Sequence, residues 1–318
     1  MNLYKITIKP ISSYCSHLQS DTLFGAFCWS YLYGYGENAL DKLIDHYKSG
    51  VPDIIFSNAF PSGRLPVPVG VNESVKKSVL LATKQERYKR YIADKNRKQA
   101  SFISLEGVND IINGQTENAL KGNGMDSGAK EELRSEWRNM VCRETDTVEN
   151  IDGASSLFEV EQYFSEGDFD IYIYSDFDEI LLENVLTEMF SYGIGAQRSV
   201  GKGGFRLVGR VERFSGFQIP LNPDSFVALS NFVPGRDDPT EGFYKTFVKY
   251  PKVSYTENPE DSPFKKSILF LQAGSIFKAQ PVKEIYGSCV ENIALKDGVV
   301  SDRIIIGAYT IAIPCCLA

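Results

Sequence analysis

Residues 192–205 read Tyr-Gly-Ile-Gly-Ala-Gln-Arg-Ser-Val-Gly-Lys-Gly-Gly-Phe. Gly193, Gly195, Gly201, Gly203 and Gly204 stand among Arg198, Ser199 and Lys202, and Phe205 opens the apolar run beyond. Glycine lets backbone N–H groups come close to an anion, and successive exposed N–H groups form a nest that fits a phosphate. A Walker A loop needs G-x-x-x-x-G-K-[ST]. Here five residues separate Gly195 from Gly201 and Lys202 is followed by Gly203, so the spacing fails. A dinucleotide fingerprint needs G-x-G-x-x-G between a strand and a helix. Arg198 stands at its third glycine and the order is helix then strand, so that fails too. Two readings stay open: a loop that grips an RNA backbone, and a plain glycine-rich connection.

The flanks supply the fold. Before the loop, Leu182, Val185, Leu186 and Met189 share one helical face over 178–191, with Asp178 as N-cap. After it, Phe205, Leu207 and Val211 mark a strand with Arg206 and Arg210 on its other face. Upstream, Phe169, Ile171 and Ile173 alternate with Asp170, Tyr172 and Tyr174, and Phe158 and Val160 open a strand joined to it by a turn at Gly167–Asp168. Near the N-terminus, Tyr4, Ile6 and Ile8 alternate with polar residues, whereas Phe24, Phe27, Cys28 and Tyr31 recur at helical spacing. Leu40, Leu43, Ile44 and Tyr47 predict a further helix over 38–48.

Strand, helix, strand, strand, helix, strand is the ferredoxin-like βαββαβ order, shared with RNA-recognition modules. The expected fold class is α+β: one such domain over 1–213, carrying a long insertion at about 34–150, and a second, more degraded one over 214–318. The second should hold strands near 226–232, 267–272 and 304–313, and a helix at 241–250 with Phe243, Thr246, Phe247 and Tyr250 on one face.

Composition excludes several classes. The chain has 318 residues, 43% hydrophobic and 24% charged, a soluble globular balance. The longest apolar stretch, Leu23–Tyr33, is broken by Gly25 and Ser30 and is too short to span a bilayer. The N-terminus lacks a signal-type apolar run. Cys15, Cys28, Cys142, Cys289, Cys315 and Cys316 form no C-x-x-C, and His17 and His46 are the two histidines, so neither a metal site nor another cofactor is expected. Scattered cysteines in a chain of this size fit a reducing cytoplasm. The net charge of −7 argues against a generic nucleic-acid binder. Yet residues 76–98 carry nine basic residues against two acidic ones, with Tyr88 and Tyr91 among them, as either a solvated face or a nucleic-acid surface.

Further segments carry a resemblance. Ser20–Trp29, SDTLFGAFCW, resembles the N-terminal signature of the fourth-subunit family of the type III-A (Csm) CRISPR effector complex, within the RAMP superfamily. Phe56–Gly70, FSNAFPSGRLPVPVG, is similar to that family's Ala-Phe-Pro and Leu-Pro-x-Pro segment. Arg143, Thr145 and Leu157–Phe158 fit its Arg-x-Thr…Leu-Phe stretch, and Phe270–Phe277, FLQAGSIF, fits its C-terminal Gly-Ser segment. The glycine-rich loop ahead of the last strand is the superfamily's hallmark. Gln19 stands where the family has histidine, and His17 lies two residues earlier.

The resemblance implies a non-catalytic subunit that holds the repeat-derived 5′ tag of the crRNA. It would join the large polymerase/HD subunit to the first backbone subunit, with no membrane partner. Tag contacts would fall on Gly193–Phe205, chiefly Arg198, Ser199 and Lys202, with Ser20, Asp21 and Thr22 near the same RNA and Arg143 on a thumb-like hairpin. The alternative is a metal-independent RNA endonuclease with His17 as general base. Bland readings stand beside these: His17 as a loop histidine and Asp21 as an N-cap.

Overall fold

The computed structural model describes residues 1–70, 100–116, 125–126, 131–139, 141–142, 146–148, 157–253, 262–296 and 299–316. The basic run 76–98 and Arg143 lie outside the described residues. Among the described residues no helix is long and apolar enough to cross a membrane.

The chain is α+β, and its sheets are antiparallel. Strand β1 (Asn2–Pro10) leads to helices α1 (Ser20–Tyr35) and α2 (Glu37–Lys48), followed by β2 (Ile54–Phe56) and β3 (Phe60–Pro61). Next come α3 (Leu105–Ile112) and the long strands β4 (Glu131–Asn139) and β5 (Leu157–Ser165). Strand β6 (Phe169–Ser175), helix α4 (Glu179–Ser191) and strand β7 (Phe205–Arg213) complete the first half. Their sheet runs β7–β1–β6–β2, with β3 also paired to β6.

Alternation in β1 buries Tyr4, Ile6 and Ile8, and register sets Ile6 opposite Ile171 and Tyr4 opposite Ile173. Asp170 and Tyr172 lie on the opposite face, beside Thr7 and Lys5. That face is covered as well, because Phe214 and Phe217 pack on Tyr172 with ring centroids 5.0 and 5.6 Å away. Strand β6 is accordingly buried along its whole length. The carboxylate of Asp170 accepts from Thr7 Oγ1 at 2.7 Å, Gly63 N at 2.8 Å and Ser62 Oγ at 3.0 Å, with Lys5 at 3.3 Å. Burying a carboxylate is costly unless its oxygens find such hydrogen-bond partners.

Two expectations are corrected here. Residues 157–165 do not form the second strand of the sheet. Strand β5 pairs with β4 in a two-stranded ribbon instead, and its outer end is exposed, with Leu157 51% and Phe158 40% accessible. The sheet position belongs to β2, an Ile-Ile-Phe triplet bounded by Pro52 and Pro61 and fully buried. Three residues buried on both faces show no period, so periodicity passes over them. The expected insertion at 34–150 therefore begins too early: α2 and β2 belong to the core.

The second correction concerns 241–250. This stretch forms strands β9 (Gly242–Phe243) and β10 (Thr246–Lys249), not a helix. Strand β10 pairs with β11 (Ile268–Leu271), placing Phe247 opposite Phe270 with stacked rings 5.6 Å apart. That cross-strand pair overrides the helical spacing.

With β8 (Ser225–Ala228), β12 (Ile276–Lys278), β13 (Ile285–Val290) and β14 (Ile306–Cys315), the second sheet runs β9–β12–β8–β14–β13. Residues 214–318 hold strands and no helix among the described residues. Helices α1 and α2 of the first half cover this sheet, so one apolar core includes Phe24, Phe27 and Tyr47 together with Tyr309, Ile311 and Ile313. Gly307 admits that approach: a Cβ there would lie 2.6 Å from Tyr47 Cε1 and 2.7 Å from Phe24 Cδ1. Ser230 Oγ donates to Phe56 O at 2.8 Å and Tyr309 OH to Tyr47 O at 2.7 Å, stitching the halves together.

Candidate nucleic-acid interface

Helix α4 carries its expected cap, with Leu181 N donating to Asp178 Oδ1 at 2.8 Å. It ends at Tyr192, and the chain crosses to β7 through the glycine-rich loop. Gly193, Gly195, Gly201 and Gly203 all have positive φ. Gly203 shows why: besides φ +72°, a Cβ there would sit 2.1 Å from Ile194 O. Ile194 N donates to Gly203 O at 2.8 Å, and Gly203 N to Ser13 O at 2.7 Å. Gly204 N donates to Ser12 Oγ at 2.8 Å. The loop is thus a closed structure clasped by the segment that follows β1. Its outer turn, Arg198–Val200, is exposed.

The loop's two cations have different surroundings. Arg198 is exposed and shares a groove of about 460 Å³ with Ser199, Trp29, Tyr33, Met189 and Tyr192. Lys202 is directed to the foot of the β4–β5 ribbon, where Nζ donates to Gln162 Oε1 at 2.5 Å and lies 3.6 Å from Glu136 Oε2. Arg138 also reaches Glu136, at 3.1 Å, and that hydrogen bond holds the Glu136 carboxyl below its ordinary pKa. Ser13 Oγ donates to the same Gln162 oxygen at 2.8 Å. Neither Arg138 nor Gln162 carried a motif, and only the ribbon pairing brings them to the loop.

Ser20, Asp21 and Thr22 stand together at the start of α1, facing Asn231 and the β10–β11 ribbon. Ser20 Oγ donates to Asn231 O at 2.9 Å. Lys249 Nζ contacts Asp21 at 2.7 and 2.8 Å, Gln19 Oε1 at 2.7 Å and Thr22 Oγ1 at 3.2 Å. Asp21 is not the N-cap; Gln19 holds that position without a capping side chain. Instead Asp21 forms a half-buried ion pair between the halves of the chain.

His17 lies on the clasping segment, its ring 4.5 Å from Tyr163 and Nδ1 3.8 Å from Glu131 Oε2. Glu131 also accepts from Tyr14 OH, whose pKa is pushed far up by burial and by that carboxylate. His46 sits at the end of α2 and pairs with Asp53 at 2.8 Å.

No family model matches the sequence, and no curated protein matches it. Solved structures do match in shape. A chain in the crystal structure of the Csm1-Csm4 cassette in complex with cA4 superposes with a TM-score of 0.62 at 16% identity, covering 99% of both chains. A chain in the Csm3-Csm4 subcomplex of the type III-A CRISPR-Cas interference complex gives 0.57 at 16% identity, again with 99% of both covered. Csm4 is the component the two assemblies share. The chain has a Csm4-like fold. The Csm4-like architecture extends from end to end, with the glycine-rich loop between α4 and the last strand of the first sheet.

Proposed function

We propose that the chain is a non-catalytic RNA-binding subunit of a cytoplasmic type III-A CRISPR interference complex. It holds the 5′ repeat-derived tag of the crRNA and links a Csm1-like large subunit to a Csm3-like backbone subunit. The observation that carries this is the end-to-end likeness to chains of the Csm1-Csm4 and Csm3-Csm4 assemblies, covering 99% of the chain in each case. The β7–β1–β6–β2 order with α1 and α4 between strands supports a ferredoxin-like reading of residues 1–213. Residues 214–318 form a second, more degraded unit of similar type, its sheet covered by α1 and α2 of the first.

In this role, Gly193, Gly195, Gly201, Gly203 and Gly204 shape the phosphate cradle and Phe205 anchors it to the sheet. Arg198 and Ser199 meet the RNA directly. Lys202, and Ser20, Asp21 and Thr22 at the start of α1, hold the framework around it.

The test is purification of the assembly through this chain, UV crosslinking, peptide mapping and sequencing of the bound RNA. Crosslinks within 193–205 to the 5′ end of repeat-derived RNA are expected. An assembly free of RNA, or RNA attached only through 76–98, overturns the tag-holding role. The endonuclease alternative draws on one observation, the carboxylate of Glu131 beside His17, and has its own test below.

A further inference from the structure

Residues 245–253 and 262–272 form one antiparallel ribbon. Strands β10 and β11 pair from Thr246 and Leu271 to Lys249 and Ile268. The ladder continues outward, with Lys265 N donating to Pro251 O and Val253 N to Pro263 O, each at 2.9 Å. The inner face is fixed to the body. Phe247 and Phe270 stack there, Ile268 is buried, and Lys249 pairs with Asp21 at the start of α1. Phe232 and Leu271 exchange backbone hydrogen bonds of 3.0 and 2.8 Å, and Lys266 N donates to Ile293 O at 2.7 Å. These contacts hold the ribbon in place and leave its other face free.

That outer face is apolar. Alternation turns Val248 and Tyr250 away from the body, and register sets Leu269 directly opposite Val248. Further out, Lys252 bridges to Phe264, and its Nζ lies 4.8 Å from the centroid of that ring. Val248 is 49% exposed, Leu269 57%, Phe264 55% and Tyr250 72%. A contiguous apolar patch of this kind, with polar residues at its rim, marks an interaction surface.

The charges around it have one sign. The described ribbon residues include Lys245, Lys249, Lys252, Lys265 and Lys266 and no Asp or Glu. Lys249 is committed to Asp21, whereas Lys245, Lys252 and Lys266 are exposed. Cations around an apolar centre match a partner surface of the opposite sign. Two other occupants fit less well. Single-stranded nucleic acid stacks its bases on aromatic rings, but the centre here is Val248 against Leu269, and neither has a π face. A second copy of this chain, paired isologously, would bring the same lysines together.

We propose, building on the assembly role above, that the outer face of this ribbon seats a protein subunit of the complex whose contact surface is apolar at its centre and rimmed by carboxylates. Val248, Leu269, Tyr250 and Phe264 supply the apolar contact. Lys245, Lys252 and Lys266 meet the carboxylates, which sets the orientation of the partner and makes the contact weaken with salt.

The test uses the assembly purified through this chain. A carbodiimide joins a lysine amine to a carboxyl group only where the two are in contact, and mass spectrometry maps the amide formed. Links from Lys245, Lys252 or Lys266 to Asp or Glu of one co-purified subunit, identified by its peptides, are expected. Val248→Ser combined with Leu269→Ser should cut recovery of that subunit about tenfold, with thermal unfolding of the chain unchanged. The links need no variant, so a poorly folding double variant does not blunt the test. Partner subunits present without such links, or with links only to this chain's own Glu257, Glu260 or Asp261, overturn the surface and leave the assembly role intact. RNA photocrosslinked to Tyr250 or Phe264 makes the face a nucleic-acid surface, and links to a second copy make it a self-contact; either overturns the proposal. A wild-type preparation without partner subunits overturns the assembly role as well.

Discussion

Lys202 Nζ donates to Gln162 Oε1 across 2.5 Å, and this contact ties the glycine-rich loop to the foot of the β4–β5 ribbon. The loop's two cations are therefore not equivalent. Arg198→Ala should weaken RNA binding with no measurable change in thermal stability, because the side chain is exposed at the loop tip. Lys202→Ala should lower stability as well, by about 1–2 kcal/mol for a lost charge-assisted hydrogen bond. Thermal unfolding paired with RNA titration separates the two. Equal losses of stability in both variants would refute the distinction.

Gly203 tests whether the loop is a built structure. Gly203→Val adds a Cβ 2.1 Å from Ile194 O at φ +72° and should cost more than about 2 kcal/mol. Gly201 also has positive φ, +83°, but a Cβ there meets nothing within 4 Å, so Gly201→Ala should cost only about 1 kcal/mol. Chemical denaturation midpoints decide this, and a mild Gly203→Val would mean the loop is free to move.

The Asp21–Lys249 pair joins the start of α1 to β10 at 2.7 Å, with the carboxylate 7% exposed. Asp21→Ala leaves the Lys249 ammonium without its carboxylate in a half-buried site, with Gln19 and Thr22 as remaining contacts, and should destabilise the chain by about 2–3 kcal/mol, somewhat below the cost of breaking a fully buried pair. Lys249→Met, which removes the cation but keeps the apolar stem, should recover part of that loss in the Asp21→Ala background. A double-mutant cycle measures the coupling, and zero coupling would contradict the bridging role.

Burial pushes the Cys315 thiol up to about 12, and Cys315 is 2% exposed. Folding thus keeps this thiol protonated after it would ionise in the unfolded chain. The unfolded state then holds fewer protons, so stability is complete below the ordinary thiol pKa and falls as pH rises from there toward 12. The slope from this one group is at most about 1.4 kcal/mol per pH unit. Denaturant unfolding at neutral and alkaline pH should show the decline, and Cys315→Ala should make it shallower. An unchanged slope in that variant would exclude the thiol as a contributor.

His17→Ala addresses catalysis directly. Under the scaffold role, the length of the bound RNA and the absence of precursor cleavage are the same in wild type and variant. Precursor cut by the wild type and left whole by the variant would instead establish the endonuclease.

The sequence alone carried those parts of the fold whose signal is local. Alternation in Tyr4, Ile6 and Ile8 marked β1, and helical spacing in Phe24, Phe27 and Tyr31 marked α1. Asp178 marked the start of α4, and the clustered glycines marked the loop. Each of these features is set by the chain's own backbone or by one face of one element, so it can be read from neighbours in sequence. Tertiary structure decided the rest. An Ile-Ile-Phe triplet became a sheet strand because its neighbours bury both its faces, and Leu157–Ser165 left the sheet because β4 offered it a nine-residue partner. Phe247 joined a strand because Phe270 lies opposite it. Asp21 and Lys249 are 228 residues apart in the chain, and Lys202 and Gln162 are 40 apart. The cleft between the segment after β1 and the second half arises where Gln19, Asn231 and Phe247 converge from distant segments, a convergence that only long-range packing can produce.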